Sequence, residues 1–387
     1  MSMRAAFFAA WVHPLKTYER HISAAAMMGG FGFDNVAYGR LDHPVTQTLL
    51  IVYLGVAALT IILLHWLEAH ENWQSKLVVK LRAYLPALTQ FMFGSLWSAF
   101  LVFYWRSGVV AASWPFLLVL AAIFIGNEVF RRYNARLIFT TTLFFFALIS
   151  YAAFMVPVFT HTIGQLTFLL SGAASVVVFA GFLWLLNKLS LGKLGEIKRQ
   201  IAVGAVAVYG AVTGLYFLNV LPPLPLAMQN SGVYHSLCRV PPSTAERIRC
   251  VGQQTGPLAR SDSLYYRGMA EPMSWTEWLG VPHVVHTQPG ERVIVFGAVF
   301  APINLNTVAY HVWQRYDSAG GKWKFVQRVD NSLRGGRGKG YRGYSFKTNP
   351  APGLWRVDFE TVDGRLIGRT MFTIQNGEPS ALVPITL

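Results

Sequence analysis

The chain has 387 residues, of which 53% are apolar and only 13% charged, and its net charge is +15. Soluble domains average about a quarter charged residues, so a chain solvated throughout by water is excluded. The length allows two domains, and the only two cysteines, Cys238 and Cys250, both fall in the later part.

Residues 1–44 open with a short apolar patch, Ala5 to Val12, broken by Pro14 and by Lys16, Glu19, Arg20 and His21. No small-residue cleavage site follows, so a removed signal peptide is not expected. Ile22–Val36 is apolar but spans about 15 residues, short of the ~20 that cross a bilayer core unaided. It either crosses with help from its flanks or lies in the interface. Residues 45–220 then hold six long apolar runs: Val45–Trp66, Leu85–Trp105, Val109–Phe130, Leu137–Phe159, Gln165–Leu186 and Ile201–Val220. Basic residues gather on alternate connections. Lys76, Lys80 and Arg82 follow the first run, Arg131, Arg132 and Arg136 the third, and Lys188, Lys193, Lys198 and Arg199 the fifth. Basic loops stay in the cytoplasm, which sends the chain out of the membrane after Val220. Lys16 and Arg20 belong inside by the same rule, so Ile22–Val36 has to cross. The expectation is seven spans, N-terminus cytoplasmic, C-terminal part outside.

Residues 221–282 begin with Pro222, Pro223 and Pro225, which favour a stiff extended exit. In an oxidising compartment Cys238 and Cys250 are expected to pair. Met273, Trp275, Trp278 and Leu279 read equally as interfacial anchors or as the cap of a soluble core. From His283 to Leu387 the hydrophobic period changes to two. The predicted strands are Arg292–Phe300, Val308–Tyr316, Lys324–Val329, Tyr341–Lys347, Trp355–Thr361 and Leu366–Ile374, separated by Gly- and Pro-bearing turns. Short strands at this spacing predict an antiparallel β-sandwich. The fold class is therefore a membrane helical bundle of about seven spans followed by an all-β extracytoplasmic sandwich.

Several stretches resemble a known family. The run Gly338–Lys347, the run Gly353–Val357, the run Asp363–Arg369, Phe372, and His311 with Trp313 are together similar to the DUF2914 domain. The membrane part resembles the region that accompanies this domain in bacterial proteins, at Tyr18 to Arg20, Gly32 to Asp34, Gln90, Phe91 and Gly94, and Gly126 to Glu128. The resemblance implies a bacterial inner-membrane protein. It carries no established activity, so it transfers no catalytic residue.

The residues themselves offer two candidate sites. Arg334, Arg337, Lys339, Arg342 and Lys347, laced with Tyr341 and glycines, form a basic hairpin able to hold phosphate or carboxylate. His311 and Trp313 join this binding set through the family pattern. A solvated flexible loop is the plainer reading of the same run. The second candidate is a cytoplasmic-side pocket built from Glu19, Arg20, Gln90, Asn127 and Glu128, since ionisable groups at membrane depth call for an explanation. Pairing of Glu128 with Arg131 or Arg132 explains it more simply. The glycine-rich run near Gly336 lacks the Lys-Ser/Thr pair and the helix of a phosphate loop. His283 and His286 would point to opposite strand faces, so no metal site is assigned. Asp358 and Glu360 share a strand face, where surface ion pairs with Arg356 are the expected role. No catalytic residue and no cofactor is expected. Partners are membrane lipids and an envelope protein, glycan or anionic lipid, and not nucleic acid. The favoured function is a non-enzymatic envelope-binding protein. The alternative is a membrane enzyme or carrier acting on a lipid-linked substrate within the bundle.

Overall fold

A computed structural model describes residues 43–70, 75–107, 110–129, 137–190, 194–195, 197–221, 225–242, 247–252, 264–275, 277, 281–336, 340–379 and 381–387. Glu19, Arg20, the Ile22–Val36 segment, Trp278, Leu279, Arg337 and Lys339 lie outside the described residues. The chain divides into two compact units, broadly the residues up to Leu221 and those from Pro222 onward.

The first unit is helical. Its elements are α1 (Pro44–Ala69), α2 (Lys76–Ser107), α3 (Val110–Val129), α4 (Leu137–Thr160), α5 (Gln165–Leu189) and α6 (Ile197–Phe217). Five of them are long and apolar enough to cross a membrane. The predicted run from Val109 to Phe130 forms α3, whose described apolar stretch, Ser113–Ile125, is shorter. Pro44 starts α1 at a position where a missing N–H costs nothing. At the other end of that helix, Arg82 Nη2 donates to the carbonyl of Leu67 at 2.6 Å, satisfying one of the last-turn acceptors. One basic residue of the alternate-loop pattern therefore also caps a helix. The centre of the unit is α4, the most buried of the five candidates. Phe146 stacks on Trp97, Phe154 meets Phe100, and Tyr104 donates to the Ser150 carbonyl at 3.1 Å. Thr89 and Thr60 share a 2.8 Å hydroxyl bond between α2 and α1. Gly204 of α6 lets Thr142 of α4 approach where a Cβ would collide, the role small residues play between helices in lipid.

The second unit is strand-rich: β1 (Ala227–Tyr234), β2 (Ser236–Val240), β3 (Arg249–Val251), β4 (Tyr265–Ala270), β5 (His283–Thr287), β6 (Arg292–Phe300), β7 (Asn306–Asp317), β8 (Lys322–Arg334), β9 (Tyr341–Thr348), β10 (Gly353–Glu360), β11 (Leu366–Asn376) and β12 (Val383–Thr386). All six predicted strands are present; β6 has the bounds the alternation indicated, and β8 departs most, running Lys322–Arg334 where Lys324–Val329 was expected. Three sheets form, ordered β1-β6-β9, β5-β11-β10-β7-β8 and β12-β4-β2-β3. Pairing is antiparallel except between β5 and β11, which run parallel. Residues 221–282, which begin with the proline-rich exit and carry both cysteines, thus contribute strands β1 to β4.

Every residue of β6 from Val293 to Phe300 is buried. The reason is that the three-stranded sheet has a hydrophobic core on each face. On one face Val293, Val295 and Val299 pack with Trp313, Trp355, Val357, Phe359 and Phe372 of the five-stranded sheet. On the other, Ile294, Phe296 and Ala298 pack with Tyr234, Leu237, Tyr266 and Ala270. A strand wet on neither side reads as a continuous apolar run, as Val293–Phe300 does. Gly297 sits in this strand where the Phe359 ring occupies the space of a Cβ.

Candidate functional site

The described basic residues of the hairpin, Arg334, Arg342 and Lys347, do not share one strand face. Period-two alternation sends Arg342 to the same face of β9 as Tyr344, and Lys347 to the opposite face with Tyr341 and Ser345. Arg342 Nη1 donates to the Leu264 carbonyl at 2.9 Å, and its guanidinium lies 6.0 Å from the Tyr266 ring centre. It acts as a tie to the four-stranded sheet. Tyr341 packs against the larger core. Arg334 is exposed at the end of β8. His311 and Trp313 are buried: Trp313 Nε1 donates to Ser345 Oγ at 2.9 Å, and His311 Nδ1 meets the same oxygen at 2.9 Å. Burial pushes the His311 imidazole down to about 4. These two residues tie β7 to Ser345 of β9 from buried positions. Of the membrane pocket, Gln90 lies half-buried on α2, while the side chains of Asn127 and Glu128 fall outside the described set.

One arrangement escaped the sequence reading, and a second was read only in part, through the Arg356–Asp358 pair. The first is a buried carboxylate. Glu271 Oε1 accepts from the backbone N–H of His286 at 2.6 Å and meets His235 Nε2 at 3.1 Å, and its Oε2 meets His286 Nδ1 at 2.7 Å. Burial alone would raise this carboxyl, yet the hydrogen bonds from His286 and His235 hold it below the usual range. The group fastens the end of β4 to β5. Its members stand 36 and 15 residues from Glu271 in sequence, so no local spacing announces it. His283 meets Glu277 instead, at 2.8 Å. Among the described residues no cluster of His, Cys, Asp or Glu is arranged to hold a metal.

The second is the outer face of the five-stranded sheet. Registered pairing places Gln314 beside Arg356, Val312 between Arg328 and Asp358, and Tyr310 between Asp330 and Glu360. Asp358 is 3% exposed and accepts from Arg369 Nε and Nη2 at 2.6 and 2.8 Å. It is a buried bidentate pair where the alternation indicated a wet surface. The reason is cover: Arg369 and Arg356 lie across the carboxylate from both neighbouring positions. Arg356 donates through Nε and Nη2 to Gln314 Oε1 at 3.0 and 2.7 Å and stacks over Trp323 at 4.4 Å. Arg328 lies 3.4 Å over the ring of Tyr310. Burial first, and the neighbouring Asp358 second, raise the Glu360 carboxyl above its ordinary value. An extra residue, Val326, interrupts the pairing of β8 with β7, between Phe325 and Gln327. An open depression lined by Asn306, Thr307, Val308, Ser332, Leu333 and Arg334 continues along the same strand pair.

Strands β7 to β11, with the His311 and Trp313 pair on β7 and the glycine-bounded β9, are the part that matches a family of known sequence. Residues 306–374 carry a DUF2914 domain, a family described as a protein of unknown function. The match spans those five strands of the second unit and leaves the helices untouched. No curated protein matches the chain. Among solved structures, a β-glucosidase from Listeria innocua in complex with isofagomine aligns over 29% of this chain and 16% of its own, at 11% identity and a TM-score of 0.17. An alkylpurine DNA glycosylase, AlkC, from Pseudomonas fluorescens, bound to DNA containing an abasic site analog, aligns over 87% of this chain and 82% of its own, at 11% identity and a TM-score of 0.19. Scores this low carry no argument about the fold or function of the DUF2914 domain.

Proposed function

We propose that this is a multi-pass protein of the bacterial inner membrane, with seven spans and a cytoplasmic N-terminus. It displays its DUF2914-bearing region in the periplasm as a β-sandwich that binds an envelope protein, glycan or anionic lipid without catalysing a reaction. The observation that carries this reading is the bond between Cys238 and Cys250, directly opposed on β2 and β3. Disulfides persist in oxidising compartments and are rare in the cytosol, and these are the only two cysteines in the chain. Lys and Arg on alternate connections favour the same orientation. The sandwich is supported by the packing of Val293, Val295 and Val299 of one sheet with Trp313, Trp355 and Phe359 of another. A binding role is favoured by where the polar side chains of the second unit stand. They project from a registered sheet face, with the exposed Arg334 at the end of β8 as an anchor for an anionic ligand.

The test is alkylation of both thiols in acid-quenched cells, before and after reduction. Both cysteines should resist alkylation until reductant is added, and a membrane-impermeant reductant should suffice once the outer membrane is opened. Free thiols in unreduced cells would place the second unit in the cytosol and overturn the reading.

A further inference from the structure

The outer face of the five-stranded sheet holds polar groups and rings that packing leaves unused. Arg356, Asp358 and Arg369 satisfy one another or Gln314, as described. Three groups beside them do not: the side chains of the exposed Arg328 and Asp330 and of the half-buried Glu360 make no hydrogen bond with any described residue. All three surround Tyr310, whose ring fixes the Arg328 guanidinium as a flat, pre-organised fork. Phe325, on the same strand, is 66% exposed. The extra residue Val326 beside it is a β-bulge, a device that re-aims side chains at functional edges.

The mixture of charges narrows the ligand. A polyanion drawn to Arg328 would meet Asp330 and Glu360 at once, and a polycation would meet the reverse. Like charges brought together across an interface cost several kcal/mol. A neutral ligand rich in hydroxyls escapes both, because each hydroxyl donates and accepts. Arg328 supplies donors, and the carboxyls of Asp330 and Glu360 supply acceptors. Phe325 supplies an apolar ring for the C–H face of a sugar. A partner polypeptide adding a strand to β8 fits less well, since Lys322, Lys324 and the bulge guard that edge. From Phe325 to Asp330 the strand rises about 16 Å at ~3.3 Å per residue, the scale of a short oligosaccharide. The depression at Asn306 and Ser332 extends the track.

We propose that the outer face of β7, β8 and β10 is a binding surface for a neutral oligosaccharide, with Phe325 as the stacking ring and Arg328, Asp330 and Glu360 as hydroxyl partners. This deepens the envelope-binding reading above and rests on it. The experiment uses the full chain in phosphatidylcholine nanodiscs. The probes are glucose, mannose and N-acetylglucosamine oligomers, heparin, and phosphatidylglycerol vesicles. At least one neutral oligomer is expected to bind with little dependence on salt. Phe325→Ala, Arg328→Ala and Asp330→Ala should each weaken it at least tenfold, and all three side chains are exposed, so the fold should tolerate their loss. Neutral-oligomer binding that survives all three substitutions overturns the site. Binding of heparin or the vesicles without any neutral oligomer overturns the sugar assignment and leaves the wider reading standing. Binding of none of these also overturns the sugar assignment, and the wider reading is tested separately by the thiol alkylation above.

Discussion

Acid should loosen the second unit through one imidazole. Trp313 Nε1 donates to Ser345 Oγ, the same oxygen that meets His311 Nδ1, and burial keeps the His311 ring neutral. Burial lowers the His311 pKa from 6.5 to about 4. The unfolded chain therefore takes up a proton near pH 6.5, and the folded chain only near pH 4. Across that window the unfolded state binds more protons, so stability rises with pH. His311 contributes its full share above pH 6.5, loses it progressively as the pH falls, and has lost it below about 4. A gap of this size corresponds to about 3 kcal/mol at 1.36 kcal/mol per pH unit. That is a large part of a typical domain's total of about 5–15 kcal/mol. The assay is urea unfolding of the intact protein in nanodiscs, followed by tryptophan fluorescence at several pH values from about 7 down to about 4.5. Staying above the ordinary titration of Glu271 matters, because that carboxyl, held low, loses its own stabilising share only below 4.5. His311→Asn keeps an acceptor near Ser345 but cannot titrate. It should cost about 1–2 kcal/mol at neutral pH and then show a nearly flat profile. If the variant loses as much stability between those limits as the parent chain does, the His311 explanation is wrong.

Two substitutions probe other packing claims. Arg369→Met leaves the Asp358 carboxylate with only Arg356 Nε, at 3.6 Å, and should destabilise by about 3–5 kcal/mol. The double change Asp358→Leu with Arg369→Met should come back to within about 1 kcal/mol of the parent, since a buried pair is often replaceable by apolar groups. Both are read from the urea midpoint, and a double variant no better than the single would deny that the unpaired charge is the cause. Gly297→Ala should cost about 1–3 kcal/mol by overpacking against Phe359, with Phe359→Leu recovering part of it. A neutral Gly297→Ala would mean that the two sheets part more easily than their contacts imply.

What the sequence disclosed followed from periodicity. The alternation Trp355, Val357, Phe359 placed β10 and its inward face, and the six apolar runs reappear as helices. Pairing of Cys238 with Cys250 followed from compartment and count. Strands β2 to β4 escaped because they are short, and β1 because Gln229, Asn230, Ser231 and Gly232 interrupt its apolar pattern, so neither hydrophobicity nor alternation rises above background. Missing them hid the third sheet, and with it the fact that Arg342 faces a second core. The candidate site was harder still. Arg328, Asp330 and Glu360 lie on two strands separated by β9, and only the registered pairing through β7 brings them around Tyr310. No one-dimensional pattern encodes that meeting. The basic run around Arg334 to Lys347 was conspicuous by composition, but alternation splits such a run between two faces.

The family match begins and ends at residues 306 and 374, but the hydrogen-bonding ladders do not. Strand β9 has its partner in β6, and β11 has one in β5, both upstream of that boundary. A fragment cloned to the match alone would leave two strands with bare amide rows and strip Val293, Val295 and Val299 from the interior. Unprotected edges of that kind promote aggregation. Recombinant work on this region should start upstream of Ala227 and keep the C-terminal strand, because the unit that folds is more than twice as long as the unit that is recognised.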